Sequence, residues 1–223
     1  MNNRYEKGTR LSERKYRVVL RYFAMDLPAL TTGHLTSLNY RTVHRLYTRW
    51  RERIIALTLA EATPLSGEIE VDESYFGARR VRGKRGRGAS GKIPVLGLHK
   101  RGDCVFVSVV ENCSKAQLMP ILRGNVLEES DVYTDGWKAY DGLVTDGYKH
   151  HRVHHHQNEF VRGKNHVNGI ESFWSFAKMR LSKLHGVRRD KFLLHLKESE
   201  WRWNHRNQNI NRILLTNLRN NPL

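Results

Sequence analysis

Three carboxylates in this chain stand in contexts that aim them at a common point. Asp72 closes the alternating run Glu68-Ile69-Glu70-Val71-Asp72, in which Ile69 and Val71 face a core and Glu70 shares the face of Asp72. Asp135 follows Asp131-Val132-Tyr133-Thr134 and precedes Gly136-Trp137, so it ends a short strand. Glu171 opens the helix-like run Ile170-Glu171-Ser172-Phe173-Trp174-Ser175-Phe176-Ala177-Lys178. Two strand-end aspartates and a helix-borne glutamate are hard oxygen donors suited to a pair of Mg²⁺ (or Mn²⁺) ions that carry out phosphoryl transfer. Asn168, three residues before Glu171, is an additional or alternative third ligand. Each acid has neighbours that compete for the role: Glu70 and Glu73 beside Asp72, and Asp131, Asp141 and Asp146 around Asp135. A lone strand-end aspartate is more often a turn residue. The combination of three contexts, each in the right kind of element, favours the metal reading.

The phosphate is that of a nucleic acid. Lys and Arg number 39 against 22 Asp and Glu, a formal charge of +17, which calls for a polyanionic partner. The stretch from Gly77 to Lys92 holds seven basic residues, five glycines and no acid. Glycine at that density prevents a stable helix, so the segment reads as an arm that closes on a phosphate backbone through Arg79, Arg80, Arg82, Lys84, Arg85 and Arg87. No apolar run approaches the roughly 18 residues that a membrane span needs. The N-terminus carries no secretory signal. Cys104 and Cys113 read as buried thiols, and no CxxC pair exists to build a zinc ribbon. No GxxxxGK[ST] loop occurs, which argues against ATP hydrolysis.

The elements that position these residues divide into two kinds. Residues 1–58 are helical in pattern. Ser12 caps a helix carrying Tyr16, Val19, Leu20 and Phe23, and Pro28 breaks it. A short helix spans Thr31 to Leu38, Asn39-Tyr40 make a turn, and a long helix starts at Arg41. Val43, Leu46, Tyr47, Trp50 and Ile54 share one of its faces; Arg41, Arg45, Arg49, Arg51 and Arg53 occupy the other. Short helix, turn and longer basic helix resemble a helix-turn-helix, whose second helix enters the major groove, here with Arg41, Arg45 and Arg49 toward DNA. A linker from Thr58 to Ser66 contains Pro64.

Residues 66–206 switch to strand periodicity: Glu68–Tyr75, Ile93–Lys100 and Cys104–Glu111, then a helix from Ser114 to Leu122, the strand ending at Asp135, a strand near His150–His156, and two helices to Arg206. This order predicts an α/β, ribonuclease-H-like mixed sheet flanked by helices, behind a small all-α helix-turn-helix domain. Residues 207–223, with Ile210, Ile213, Leu214 and Leu218, are expected to pack as a tail on the core. On the Glu171 helix, Ile170, Trp174, Ala177, Leu181 and Leu184 form an apolar stripe. Lys178, seven residues after Glu171, lies within about 20° of it on the helical wheel and can reach a phosphate near the metals. The histidines at 150, 151, 154, 155, 156 and 166 make no evident ligand triad, because strand neighbours point to opposite faces; they read as structural or DNA-contacting. Arg162, Lys164 and Asn165, ahead of the helix, read as tracking DNA.

Val71-Asp72-Glu73-Ser74-Tyr75-Phe76-Gly77, Tyr133-Thr134-Asp135-Gly136-Trp137-Lys138-Ala139-Tyr140 and His166-Val167-Asn168-Gly169-Ile170-Glu171-Ser172-Phe173-Trp174-Ser175 resemble the signatures of ISXO-like insertion-sequence transposases. Trp201-Arg202-Trp203-Asn204-His205-Arg206 is similar to that family's closing motif. The resemblance implies a DDE transposase with Asp72, Asp135 and Glu171 as metal ligands and Lys178 as the downstream basic residue. Some relatives carry asparagine at the last acid, which keeps Asn168 as a candidate. Many members also have an N-terminal zinc ribbon, which this chain lacks. The resemblance further implies terminal inverted repeats and target DNA as double-stranded partners, a dimer or higher oligomer on DNA, and a place in the cytoplasm at the bacterial nucleoid, or in the nucleus of a eukaryotic host. A nuclease or resolvase on the same fold, and a transposon-derived DNA-binding protein without catalysis, are the alternatives.

The arm supplies a first test. Replacing Arg79, Arg80, Arg82 and Arg85 together with alanine is expected to flatten the slope of log affinity for DNA against log salt. The change should be about 0.9 for each phosphate that the arm no longer neutralises, measured by fluorescence anisotropy. An unchanged slope means that the arm never meets phosphate.

Overall fold

A computed structural model describes residues 3–77, 91–135, 140, 143–153 and 167–223. The basic arm residues Arg79, Arg80, Arg82, Lys84, Arg85 and Arg87, together with Lys164 and the histidines at 154–156 and 166, lie outside the described residues. The chain divides into two compact units, one of residues up to Ala60 and from His205 onward, the other of Glu61–Asn204.

The helical unit contains α1 (Glu13–Ala24), α2 (Ala29–Thr36), α3 (Tyr40–Glu61) and α7 (Ile210–Asn220). Ser12 caps α1 as expected, its side chain accepting from the Lys15 amide. Ser37 adopts a left-handed conformation (φ 52°) in the short turn between α2 and α3. The apolar faces of α1 and α3 meet in an aromatic cluster: Tyr16, Phe23, Tyr47 and Trp50 are all buried, and the Trp50 indole donates to Tyr16 Oη at 2.8 Å.

Three expectations change here. Helix α3 runs on through Thr58 to Glu61, because Leu59-Ala60-Glu61 suit a helix and the stop comes only with the restriction that Pro64 places on the residue before it. Arg51 does not belong to the solvated basic face: it is buried, its guanidinium 5.6 Å from the rings of both Phe23 and Tyr47. Residues 207–223, expected as a tail on the core, cluster with the helical unit. They form α7, capped by Asn209, which belongs to the helical unit, where Leu214 and Leu218 are buried and Arg53 donates to Asn217 at 3.1 Å. A stripe at i and i+4 is satisfied by any helical partner, so its periodicity does not choose between the two.

The second unit is built on a five-stranded sheet of order β3-β2-β1-β4-β5, with β1 (Glu68–Phe76), β2 (Ile93–Lys100), β3 (Val105–Val109), β4 (Asp131–Asp135) and β5 (Lys149–Val153). β1, β2 and β3 form an antiparallel meander, β4 runs parallel to β1, and β5 runs parallel to β4. This mixed α/β arrangement is consistent with the ribonuclease-H-like expectation.

Strand alternation splits the core in two. Ile69, Val71, Leu96, Leu98 and Val132 point toward α4 (Lys115–Asn125) and its Leu118, Met119 and Leu122. Phe76, Val95, Val107 and Tyr133 point to the other face, against Ile170, Phe173, Trp174 and Ala177 of α5 (Asn168–Ser182) and Phe192 and Leu196 of α6 (Phe192–Asn204). Cys113 is buried and Cys104 half-buried, both as free thiols. Among the described residues, no helix is long and apolar enough to cross a membrane.

The C-terminal half of α6 closes the edge of the sheet. Asn204 accepts from the Val105 amide at 2.8 Å and donates to the Val105 carbonyl at 2.9 Å, and Glu200 accepts from the Val107 amide at 3.1 Å. Side chains thus replace the missing neighbour of edge strand β3. Behind them, Glu198 is fully buried and accepts from Arg202 of its own helix at 2.9 Å, while Arg180 of α5 pairs with it at 2.5 Å. The run Trp201-Arg202-Trp203-Asn204 therefore serves as the seam between α6, α5 and β3.

Helix α5 comes close to the sheet at Gly97, where a Cβ would lie 2.5 Å from Trp174 Cζ2 and 2.7 Å from Ile170 Cδ1. Gly97→Ala must push α5 outward, with an expected loss of about 1–3 kcal/mol in denaturant unfolding. Wild-type stability in that variant means that α5 does not rest there.

Candidate active site

The parallel pairing of β1 with β4 matches Glu70 with Tyr133 and Val71 with Thr134, so Asp72 and Asp135 are the next residues of adjacent strands. Alternation turns both toward α5. Across the sheet on that face run two rows. One is His99–Glu70–Tyr133–His151; the other is Gly97–Asp72–Asp135–Val153. The second row carries the two aspartates, and helix α5 lies over it with Trp174 donating its indole N–H to Asp72 Oδ2 at 3.0 Å.

Asp72 senses both other acids. Burial pushes its carboxyl up to about 6, the Glu73 amide and the Trp174 indole pull it down, and the charges of Asp135 and Glu171 raise it further. Glu171 sits in the exposed first turn of α5. Asn168 begins the helix and is exposed, its carbonyl accepting from Ser172 Oγ at 2.7 Å. Lys178 lies in the field of Asp72; burial lowers its pKa, the Asp72 charge opposes that, and Lys92 adds to it. Its Nζ is 5.7 Å from the centre of the Phe76 ring.

The competing acids have other work. Glu70 is held by Arg101 and by the Ile170 amide, Glu73 accepts from the Tyr140 hydroxyl, Asp131 pairs with His151 Nε2 at 2.7 Å, and Asp146 pairs with Arg123 at 2.7 Å. Asp141 lies outside the described residues. Tyr140 is fully buried, and burial with the Glu73 charge and hydrogen bond pushes its phenol well above the ordinary value, with Asp72 and Asp135 contributing. It stays a neutral donor to Glu73, packed in the core on the α4 side of the sheet.

Two of the clustered histidines make contacts within the sheet and point to opposite faces. His150 shares a hydrogen bond with Thr134 at 2.9 Å, while His151 stacks on Tyr133 at 4.7 Å. Sequence reasoning overlooked His99, which shares the row of His151, and Arg101, which bonds Glu70 within it, and counted Glu70 only as a rival ligand. The available signal was the alternation that puts Glu70 on the face of Asp72.

Of the basic residues expected on α3, Arg41 is exposed, but Arg45 and Arg49 both converge on Glu6 Oε1, the former at 2.6 Å. Glu6 is only 1% exposed. It lies in a 410 Å³ cleft of the helical unit rimmed also by Lys7, Arg10 and Thr42. A buried carboxylate thus holds two of the three guanidiniums in place.

The donor set suits a divalent cation in chemistry. Asp72, Asp135 and Glu171 offer oxygen alone, and their mutual repulsion at Asp72 is what a bound cation relieves. Among the described residues, no three acids, histidines or cysteines close a cage around an ion. Mg²⁺ does not require one: it keeps several waters and is held by one or two carboxylates plus substrate phosphate.

Residues 64–204 match the family described as the ISXO2-like transposase domain. An "uncharacterized transposase-like protein" of Haemophilus influenzae is 42% identical over 100 residues, which cover 45% of this chain and 80% of that protein. An "uncharacterized protein in transposable element ISH50" of Halobacterium salinarum is 33% identical over 180 residues, covering 74% of this chain and 60% of that protein. The matched span takes in the whole sheet with α4, α5 and α6, and on it this chain belongs to the ISXO2-like transposase family.

Proposed function

We propose that the chain is an insertion-sequence transposase that binds the terminal inverted repeats of its element, cuts DNA at their ends and joins those ends to a target. The observation that carries this reading is the position of Asp72, on the central strand of a transposase-family sheet and within the fields of both Asp135 and Glu171. In the first step a water oxygen bonds to phosphorus as the P–O3′ bond breaks, which frees a 3′-hydroxyl. In the second, that hydroxyl attacks a target phosphodiester and expels the target's own 3′-hydroxyl. Divalent cations, when bound, activate the attacking oxygen and offset the charge on the leaving one.

The chain's residues have separate parts in this. Asp72, Asp135 and Glu171 hold the cations, with Glu171 favoured over Asn168 because it acts on Asp72. Trp174 fixes one oxygen of Asp72, and Lys178 with Lys92 places positive charge where the phosphodiester must lie. The helix-turn-helix reading of α2 and α3 assigns sequence readout to Arg41 and backbone contacts to Arg45, Arg49, Lys7 and Arg10 around the basic cleft. The glycine-arginine arm and Lys164 complete the phosphate contacts, and pairing of two ends calls for at least a dimer on DNA.

Asp72→Ala, Asp135→Ala and Glu171→Ala are each expected to lower Mg²⁺-dependent cleavage of an end-bearing duplex by at least about 10³-fold, the scale for losing charge stabilisation at the reacting centre. DNA binding in gel shift should be unaffected. Nicking retained by one variant removes that residue from the ligand set. Joined products from pre-cut ends separate a transposase from a nuclease or resolvase, and a wild-type chain that never nicks is a binding protein only.

The raised Asp72 carboxyl generates a pH prediction. Cation binding needs the carboxylate, so Mn²⁺ affinity should climb as pH rises through about 6. Stability of the cation-free protein should run the other way. A folded pKa above the unfolded value of 3.8 adds stability that is complete below 3.8 and is lost as pH rises through about 6. Asp72→Asn should therefore melt higher than wild type at pH 7, with the gap closing toward pH 4. An equal gap at both pH values places the titrating group elsewhere.

A further inference from the structure

We propose that Glu70 is a positioning residue that seats the helix bearing Glu171 on the two strands bearing Asp72 and Asp135; the inference rests on the catalytic reading above and deepens it. The Glu70 carboxylate has no exposed surface. It accepts from the backbone amide of Ile170 at 2.8 Å and from Arg101 Nε at 3.0 Å, and it lies 3.5 Å from His99 Nδ1. The guanidinium of Arg101 lies 3.8 Å from the centre of the Tyr133 ring. One carboxylate therefore touches the residue before Glu171, stands two before Asp72 on the same face of β1, and is tied through Arg101 to Tyr133, two before Asp135 on β4.

The polar row is thus a floor one step behind the acid row. Burial would push the Glu70 carboxyl up, but the approach of His99 and the hydrogen bonds from Ile170 and Arg101 outweigh it and hold the carboxyl below the ordinary range.

The first turn of α5 depends on this floor. Helix N-termini leave their first amides without partners inside the helix, and Val167, the residue ahead of α5, makes no side-chain cap. Glu70 supplies that acceptor from the sheet and sets a negative charge against the positive end of the helix dipole. The fit leaves no clearance. A Cβ on Gly169 would overlap the His99 ring and lie 2.8 Å from Glu70 Oε2. A buried ionised group is costly where an apolar residue could pack instead, and here it meets the one helix that must arrive at a fixed height above the acid row. Displacing a reacting group by about 1 Å can cost 10²-fold in rate, which makes such a fixture useful.

Two variants of the full chain test this. Glu70→Gln keeps an acceptor oxygen but loses the charge that holds Arg101, while Gly169→Ala leaves Glu70 intact and lifts the first turn of α5. The readouts are Mn²⁺ affinity by electron paramagnetic resonance titration, exchange of the Ile170 amide by NMR without metal, and thermal melting. In variants that melt cooperatively, Mn²⁺ affinity is expected to fall about 10–100-fold, the usual effect of removing a group that orients a ligand, and the Ile170 amide to exchange faster.

Wild-type Mn²⁺ affinity in a folded variant overturns the positioning role, since a purely structural Glu70 would change melting alone. Should Glu70→Gln not fold, Gly169→Ala decides. Wild-type protein that binds no Mn²⁺, or binds it equally well with Glu171→Ala, overturns the catalytic reading instead. The Ile170 exchange rate then decides by itself whether Glu70 seats α5.

Discussion

The register between β1 and β4 is the constraint from which the rest of the sheet domain follows. Parallel pairing matches Val71 with Thr134 and so makes Asp72 and Asp135 neighbours on one face. Side chains alternate with a period of two, so a slip of one residue would turn one aspartate into the core under α4 and leave the other alone. Two apolar cores prevent the slip. Ile69, Val71 and Val132 are committed to α4, and Tyr133 is committed to the side of α5. The hydrophobic effect, which knows nothing of phosphate chemistry, thereby places two like charges side by side.

Such a placement is unfavourable for the folded chain alone, and Asp72 registers it in a carboxyl pushed up to about 6. The surrounding groups limit the cost without removing it. Trp174 satisfies one oxygen of Asp72, Tyr140 remains a neutral donor to Glu73, and Lys178 brings positive charge two turns along α5 from Glu171. The acid row gathers carboxylates that raise one another, whereas the row behind it is internally paired: Arg101 meets Glu70, and His151 meets Asp131. Two adjacent rows of polar groups on one sheet face thus differ in what they lack. That difference separates the two rows better than the count of acids does.

The helical unit handles charge in the opposite sense. Its basic residues divide between packing and display: Arg51 is spent on the aromatic cluster, Arg53 on Asn217, and Arg45 and Arg49 on Glu6, while Arg41 remains exposed. Long guanidinium side chains can cover apolar rings while keeping their charge, so a run of arginines on a helix is an ambiguous sign of DNA contact. Glu6 orders two of them at the mouth of a cleft. One buried carboxylate thereby fixes where two guanidiniums stand.

Periodicity made much of this legible before any coordinates. The strands β1 and β2, the helices α1 and α5, the buried stripe of Ile170, Trp174 and Ala177, and the alternation of Asp72 with Ile69 and Val71 are all local facts, set by which residues recur every two or every 3.6 positions. Asp135 and Glu171 could be singled out because each ends or opens such an element, whereas Asp72, expected at a strand end, lies in the middle of β1, because pairing with β2 carries that strand on to Phe76. Local pattern cannot say which partner an element meets. For that reason the stripe on Ile210, Leu214 and Leu218 joined the helical unit rather than the sheet, Arg51 went inward, and Arg180 found Glu198. Glu70 and Asp72 are indistinguishable in sequence, two acids of equal phase on one strand. Only the long-range approach of Ile170 and Arg101 to the first, and of Asp135 and Glu171 to the second, separates a fastener from a candidate ligand, because charge is valued by its neighbours in space and not by its place in the chain.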